Sequence, residues 1–280
     1  MVRLKAAPRV LLFAVVAGYL LLPMLAVGLY SVATGWTSHV LPDGYSLAAW
    51  REGLTEPRLI TAVVRTLVLA LAVLVLDVTL VVPAVYWQRV RNPRIRLVTE
   101  LSAAIPFVLP FIVIAFGILR LVGDVAPQLL GTPWLLLFGH AAIAFPFLYW
   151  AVDGAMAAVN VVRLNEAAQM CGASPIQTLR HVVVPNIGAR LAAGGMLVFA
   201  TSFGEFALAQ VLVGTRFENV SLYSLDLLAR TNADFGKLAV LTSITFVTLF
   251  LISVGVVYLN RGQAGRLLSG GRAMPERRVT

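Results

Sequence analysis

"NEAAQMCGASPIQTLRHVVVPN", residues 165–186, is the longest polar-leaning stretch in the second half of an otherwise apolar chain. The residues leading into it, "VVRLNEAAQM", suit a helix, and Gly172 falls where a left-handed residue closes a helix C-terminus. Ser174 then offers a hydroxyl to a second helix, with Pro175 at the first helical position, where its missing N–H costs nothing. Gln177, three residues after Ser174, completes a capping box. Pro185 is expected to end this second helix. Helix, corner, helix and stop agree, so residues 160–186 read as a rigid hairpin.

Its surroundings place it at a membrane. The chain has 280 residues, 59% hydrophobic and 12% charged, against roughly 45–50% and about 25% in an ordinary globular domain. Its one cysteine, Cys171, excludes an internal disulfide framework and a cysteine metal cluster. A bilayer core about 30 Å thick needs roughly 20 apolar residues per helical span. Six segments meet that length: 9–31, 60–87, 101–122, 134–156, 187–213 and 238–260. Arg3, Lys5 and Arg9 before the first could belong to a signal peptide, but the apolar run is too long and no small-residue cleavage site follows. It reads as a retained anchor.

Lys and Arg set the orientation. With a cytoplasmic N-terminus, 15 of the 22 fall on inner loops and 7 outside, so both termini are expected inside and the hairpin with them. The formal charge of +9 is then mostly topology and gives little support to nucleic-acid binding. The outer segments 33–59 and 214–237 carry short helix candidates near "SLAAWREGL" and "NVSLYSLDLLART". Without low-complexity tracts or short repeats, residues 1–280 read as one membrane domain.

Ala168 and Gly172 stand four apart, as in many DNA-reading helix-turn-helix motifs, and Gln177, Arg180 and His181 follow. A recognition helix must enter a major groove. Both ends of this hairpin are tied within a few residues to membrane spans, which leaves no room for a duplex. The stretch instead resembles the EAA motif of binding-protein-dependent ABC importer permeases. Glu166-Ala167-Ala168 precede Gly172 by the motif's spacing, and nine residues separate Gly172 from Val182, Val184 and Pro185, with valines for the usual Ile and Leu.

The resemblance implies an all-α integral membrane protein of the type I ABC permease fold, with a cytoplasmic coupling-helix hairpin between spans four and five. It implies that Glu166 pairs with a basic residue in a cleft of a cytoplasmic ATPase dimer, that Ala167 and Ala168 permit close approach, and that Gly172 makes the corner. Ser174 and Pro185 shape the same loop. It also implies a second permease subunit, related or identical, an extracytoplasmic solute-binding protein, and a prokaryotic plasma (inner) membrane with lipid around the spans.

No phosphate-binding loop occurs, since Gly236-Lys237 lacks the upstream glycine and the following Ser or Thr. His39, His140 and His181 show no metal spacing. The chain is therefore expected to hold no cofactor and catalyse no reaction, with ATP and Mg bound by the partner ATPase. Ionisable groups inside spans are functional candidates. Glu205, in "TSFGEFALAQ" with Ser202 and Gln210 nearby, is read either as an interhelical hydrogen-bonding group or as a wall of the translocation path. Asp77 and His140 read as polar glue, Asp77 also as a pathway candidate, and Asp153 as a snorkelling or capping group. "SFGEFALAQVLVG" and "IPFVLPFIVIAFGIL" resemble the polyamine, phosphonate and ferric-iron group more than the sugar permeases. A spermidine- or putrescine-like solute is the expectation. An ion-coupled transporter with Asp77, His140 and Glu205 as a relay is the rival class.

Overall fold

A computed structural model describes residues 7–36, 39–230 and 234–270. Arg3, Lys5, Arg272, Arg277 and Arg278, used above for orientation, lie outside the described residues. The described chain is almost entirely helical and divides into two compact units, one of residues 1–64 and 222–249, the other of 65–221 and 250–280. Among the described residues, five helices are long and apolar enough to cross a membrane, six spans if one bent pair counts as a single crossing.

The first unit begins with α1 (Ala7–Tyr30), whose apolar side chains are exposed around the helix as lipid contact requires. A two-stranded antiparallel ribbon, β1 (Ala33–Gly35) with β2 (Gly44–Tyr45), and the short α2 (Ala48–Thr55) follow. α2 forms at the position "SLAAWREGL" foretold. The unit also holds the start of α3 (Pro57–Val90), most of α11 (Val220–Ala229) and the first half of α12 (Phe235–Gly270).

Charged groups tie these pieces. Glu56 accepts a hydrogen bond from the Tyr223 hydroxyl at 2.8 Å and meets Lys237 Nζ at 3.1 Å. Asp226 accepts from Arg58 at 3.1 Å and from Arg230 at 2.7 Å. Burial pushes the Glu56 carboxyl upward, but the hydrogen bonds from Tyr223 and Lys237 outweigh it and hold it below its ordinary value. The hydrogen bond from Arg230 does the same for Asp226, against a smaller effect of burial.

The second unit carries the rest of α3, then α4 (Arg96–Val108), α5 (Phe111–Val125), α6 (Pro133–Ala158), α7 (Val161–Met170), α8 (Pro175–Thr178), α9 (Val184–Gly204) and α10 (Ala207–Leu212). α6 supplies the largest single share of its core, with Leu136, Ile143, Leu148, Val152 and Met156 fully buried. α6 packs along α9 because α9 presents Gly194: a Cβ there would stand 2.6 Å from the Ala151 Cβ. Small residues are how membrane helices approach closely.

Two expected spans are interrupted. The run expected as one span over 101–122 is two helices, α4 and α5, bent by 112°. Pro110 is the cause: it pushes Leu109 into extended backbone (φ −100°, ψ 135°), which stops α4, and then starts α5. Pro83, Pro106 and Pro146 lie inside their helices. The run over 187–213 also breaks, after Gly204, where Glu205 is extended (φ −71°, ψ 131°) before α10 begins.

Candidate functional site

The hairpin is built by its own caps. Asn160, in the left-handed region at φ 50°, accepts from the Arg163 N–H to start α7. At the far end Gly172 takes φ +81° with open space beside it, so backbone conformation rather than crowding demands glycine. The Ala173 N–H reaches Ala168 O at 3.0 Å and the Gly172 N–H reaches Gln169 O at 2.9 Å. That pair is a Schellman closure. Ser174 and Gln177 form the reciprocal box: Gln177 N–H donates to Ser174 Oγ at 3.3 Å, and Ser174 N–H to Gln177 Oε1 at 2.8 Å.

Pro185 does not end the second helix. The helical run continues from Pro175 to Gly204 through a π-helical turn at Leu179–Val183. A proline ring collides with the carbonyl four residues before it in a regular α-helix. The wider turn relieves this: the Val184 N–H reaches back five residues to Leu179 O, and Asn186 Nδ2 donates to Val182 O at 2.7 Å. The hairpin's second limb is thus continuous with the span it precedes.

Exposure divides the hairpin in two. Glu166, Ala167, Gly172 and Ser174 are exposed and Ala168 is half-buried. Beside them Met170 and Ile176 stand 85% and 78% exposed. Two large apolar side chains on a polar loop, rimmed by Glu166 and Ser174, have the character of a docking surface. Asn165 and Thr178, in contrast, are buried.

The buried side is held by polar groups that the sequence reading did not assemble. Tyr86, on α3, donates to Asn165 Oδ1 at 2.6 Å. One turn further on, Arg89 grips Asp153 of α6 through two hydrogen bonds of 2.6 Å. Asp153 is therefore paired rather than snorkelling. Gln88 donates to the Tyr149 hydroxyl at 3.2 Å and accepts from Thr99 of α4 at 2.6 Å. Arg190 reaches Gly154 O at 3.1 Å.

The pathway candidates separate. Ser202 and Glu205 come together around His140, which is wholly buried. His140 Nδ1 lies 2.9 Å from Ser202 Oγ, and Nε2 lies 3.4 Å from Glu205 Oε2. Ser202 Oγ is within hydrogen-bonding distance of Nδ1, whereas Nε2 faces the carboxylate by proximity and has no hydrogen bond among the described residues. The same Glu205 oxygen accepts the N–H groups of Leu208 at 2.9 Å and Ala209 at 3.3 Å, capping α10 across the break. Gln210 is exposed on α10. Asp77 is buried, its Oδ2 lacks a hydrogen-bond partner among the described residues, and no hydrogen bond or ion pair described joins it to His140 or Glu205. A continuous Asp77–His140–Glu205 relay is absent from the described residues.

Comparison with known proteins is consistent with this layout. Residues 80–264 match the family model "Binding-protein-dependent transport system inner membrane component". Over 185 residues the chain is 30% identical to "Probable molybdenum ABC transporter permease protein HVO_B0370" of Haloferax volcanii, covering 62% of this chain and 68% of that protein. It is 32% identical over 89 residues to the spermidine/putrescine transport system permease protein PotC of Escherichia coli, about a third of each chain (32% and 33%). In fold it is similar to a chain from the crystal structure of a bacterial ABC transporter involved in the import of the acidic polysaccharide alginate. The TM-score is 0.70 at 19% identity, over 91% of this chain and 96% of that one.

Proposed function

The chain belongs to the binding-protein-dependent transport system inner membrane components, and on that premise we propose that its 160–186 hairpin is the coupling element that receives the ATPase. The protein is the permease subunit of an ABC importer, multi-pass in the inner membrane, and ATP hydrolysis falls to a partner subunit. The observation that carries the proposal is the hairpin itself: capped at every turn, apolar at its exposed tip, and continuous with the span behind it. Glu166 is the charged group at that tip, poised for a basic residue of the ATPase cleft. ATP and Mg bind in the partner, a second permease completes the pair, and both termini face the cytoplasm with the hairpin. An extracytoplasmic binding protein delivers the solute.

Truncating one partner of an interfacial charge pair costs about 2–5 kcal/mol. Glu166→Ala is therefore expected to lower recovery of ATPase with the purified permease and to abolish uptake. Full recovery with full uptake in that variant contradicts the proposal.

For the solute we propose a polyamine-like cation, on the similarity to PotC. Glu205 adds no support, because its carboxylate is occupied by His140 and α10. A second reading, a molybdenum-containing oxyanion, draws on the longer match to the Haloferax volcanii protein. Calorimetric titration of the partner binding protein with spermidine and with molybdate separates the two. Heat with spermidine alone supports the first, and heat with molybdate alone replaces it with the second.

A further inference from the structure

Two mechanical outlets of the hairpin follow from chain connectivity. It leads into α9 through the π-helical turn, and it follows α6 after a two-residue link at Val159 and Asn160. A third is a side-chain bond to a helix far away in sequence: the Tyr86 hydroxyl donates to Asn165 Oδ1 across 79 residues. Both residues are buried, Tyr86 to 6% and Asn165 to 5% exposure, so water cannot readily replace the bond when it breaks. Asn165 directly precedes Glu166 on the same helix, the first buried and the second exposed. A push on Glu166 is thus delivered to Asn165 without a flexible residue between them.

The receiving end is equally firm. Tyr86 lies on the same short stretch of α3 as Gln88 and Arg89, which bond Tyr149 and Asp153 of α6. Gln88 also takes the Thr99 hydroxyl of α4. The end of α3 is therefore a junction for three other helices. α7 reaches it through Tyr86.

We propose that Tyr86 and Asn165 are positioning residues for energy coupling, forming the joint through which movement of the hairpin is passed to α3. This rests on the hairpin being the ATPase-receiving element. The joint keeps α7 and the end of α3 moving as one body through the nucleotide cycle. Neither residue contacts solute or nucleotide in this role.

The native Cys171, exposed at the hairpin corner, and an Ala84→Cys change at an exposed position of α3 just beyond Pro83 provide two spin-label sites in the assembled importer. With Tyr86 and Asn165 intact, the distance between the labels is expected to be the same without nucleotide and with ATP–vanadate. In Tyr86→Phe, in Asn165→Ala and in the double variant, ATP–vanadate is expected to shift it by more than the width of the intact distribution. The double variant is expected to shift no further than the larger single one. A separation that stays fixed in the variants, even with lower thermal stability, marks a merely structural bond and overturns the proposal. A shift already present in the intact pair overturns it too. The single label at Cys171 reports on the underlying reading: it should lose mobility when the ATPase is present. If that label stays mobile, the coupling reading itself fails. If it is immobilised and the variants do not shift, the joint alone is refuted.

Discussion

At Glu205 a buried carboxylate faces two backbone N–H groups and an imidazole, so its environment is tuned to hold it rather than to offer it. Depriving a buried charged acceptor of a polar neighbour typically costs about 1–3 kcal/mol or more. His140→Ala is therefore expected to lower the melting temperature of the purified protein markedly. Glu205→Gln, which retains an oxygen for the Leu208 and Ala209 N–H groups, should be milder. A Gln variant of normal stability that no longer transports would instead restore Glu205 to the solute path. A second residue-scale expectation concerns acid. Glu56 and Asp226 are held below their ordinary values, so the stability they add is complete above the unfolded carboxylate range and is lost as pH falls through their folded values. Melting curves should weaken below about pH 4.5, the ordinary carboxylate range, and Glu56→Gln should flatten that dependence. An unchanged acid limb in the variant would count against it. The capping residues Gly172, Ser174 and Gln177 were legible in the sequence because each acts on neighbours within a few positions. Arg89–Asp153 and Tyr86–Asn165 were not, because 64 and 79 residues separate the partners and nothing local marks either one.

Among the elements, the spans were legible in their apolar runs, while their interruptions depended on competition between local groups. Pro110 is visible in the sequence, yet Pro83, Pro106 and Pro146 look the same there and stay within helices. Of these four, only Pro110 breaks its helix, with the preceding Leu109 extended. The π-helical turn at Leu179–Val183 was likewise hidden, because a proline reads as a stop unless a wider turn precedes it. Gly194 makes the closeness of α6 and α9 testable. Overpacking a filled interface usually costs about 1–3 kcal/mol, and Gly194→Val must displace either Ala151 or Leu148. The variant should melt at lower temperature, and Ala151→Gly in the same chain should recover part of the loss. A Gly194→Val protein as stable as the parent would show that α6 and α9 are not so closely applied.

For the molecule as a whole, composition was sufficient to place the chain in a membrane, and the hairpin to place it in a transport family. Solute identity lies in groups whose facing depends on packing: Glu205 looked available in the sequence and is occupied in the structure. The central claim is that an exposed, rigidly capped hairpin is where this permease meets its ATPase. Cys171, the only cysteine of the chain, stands exposed one residue before the Gly172 corner, so a benzophenone-maleimide attached there probes the claim without any mutation. On irradiation of the assembled importer, the account predicts a covalent adduct between this chain and the ATPase. Efficient labelling of Cys171 with no ATPase adduct, in an importer that still hydrolyses ATP and transports, would contradict it.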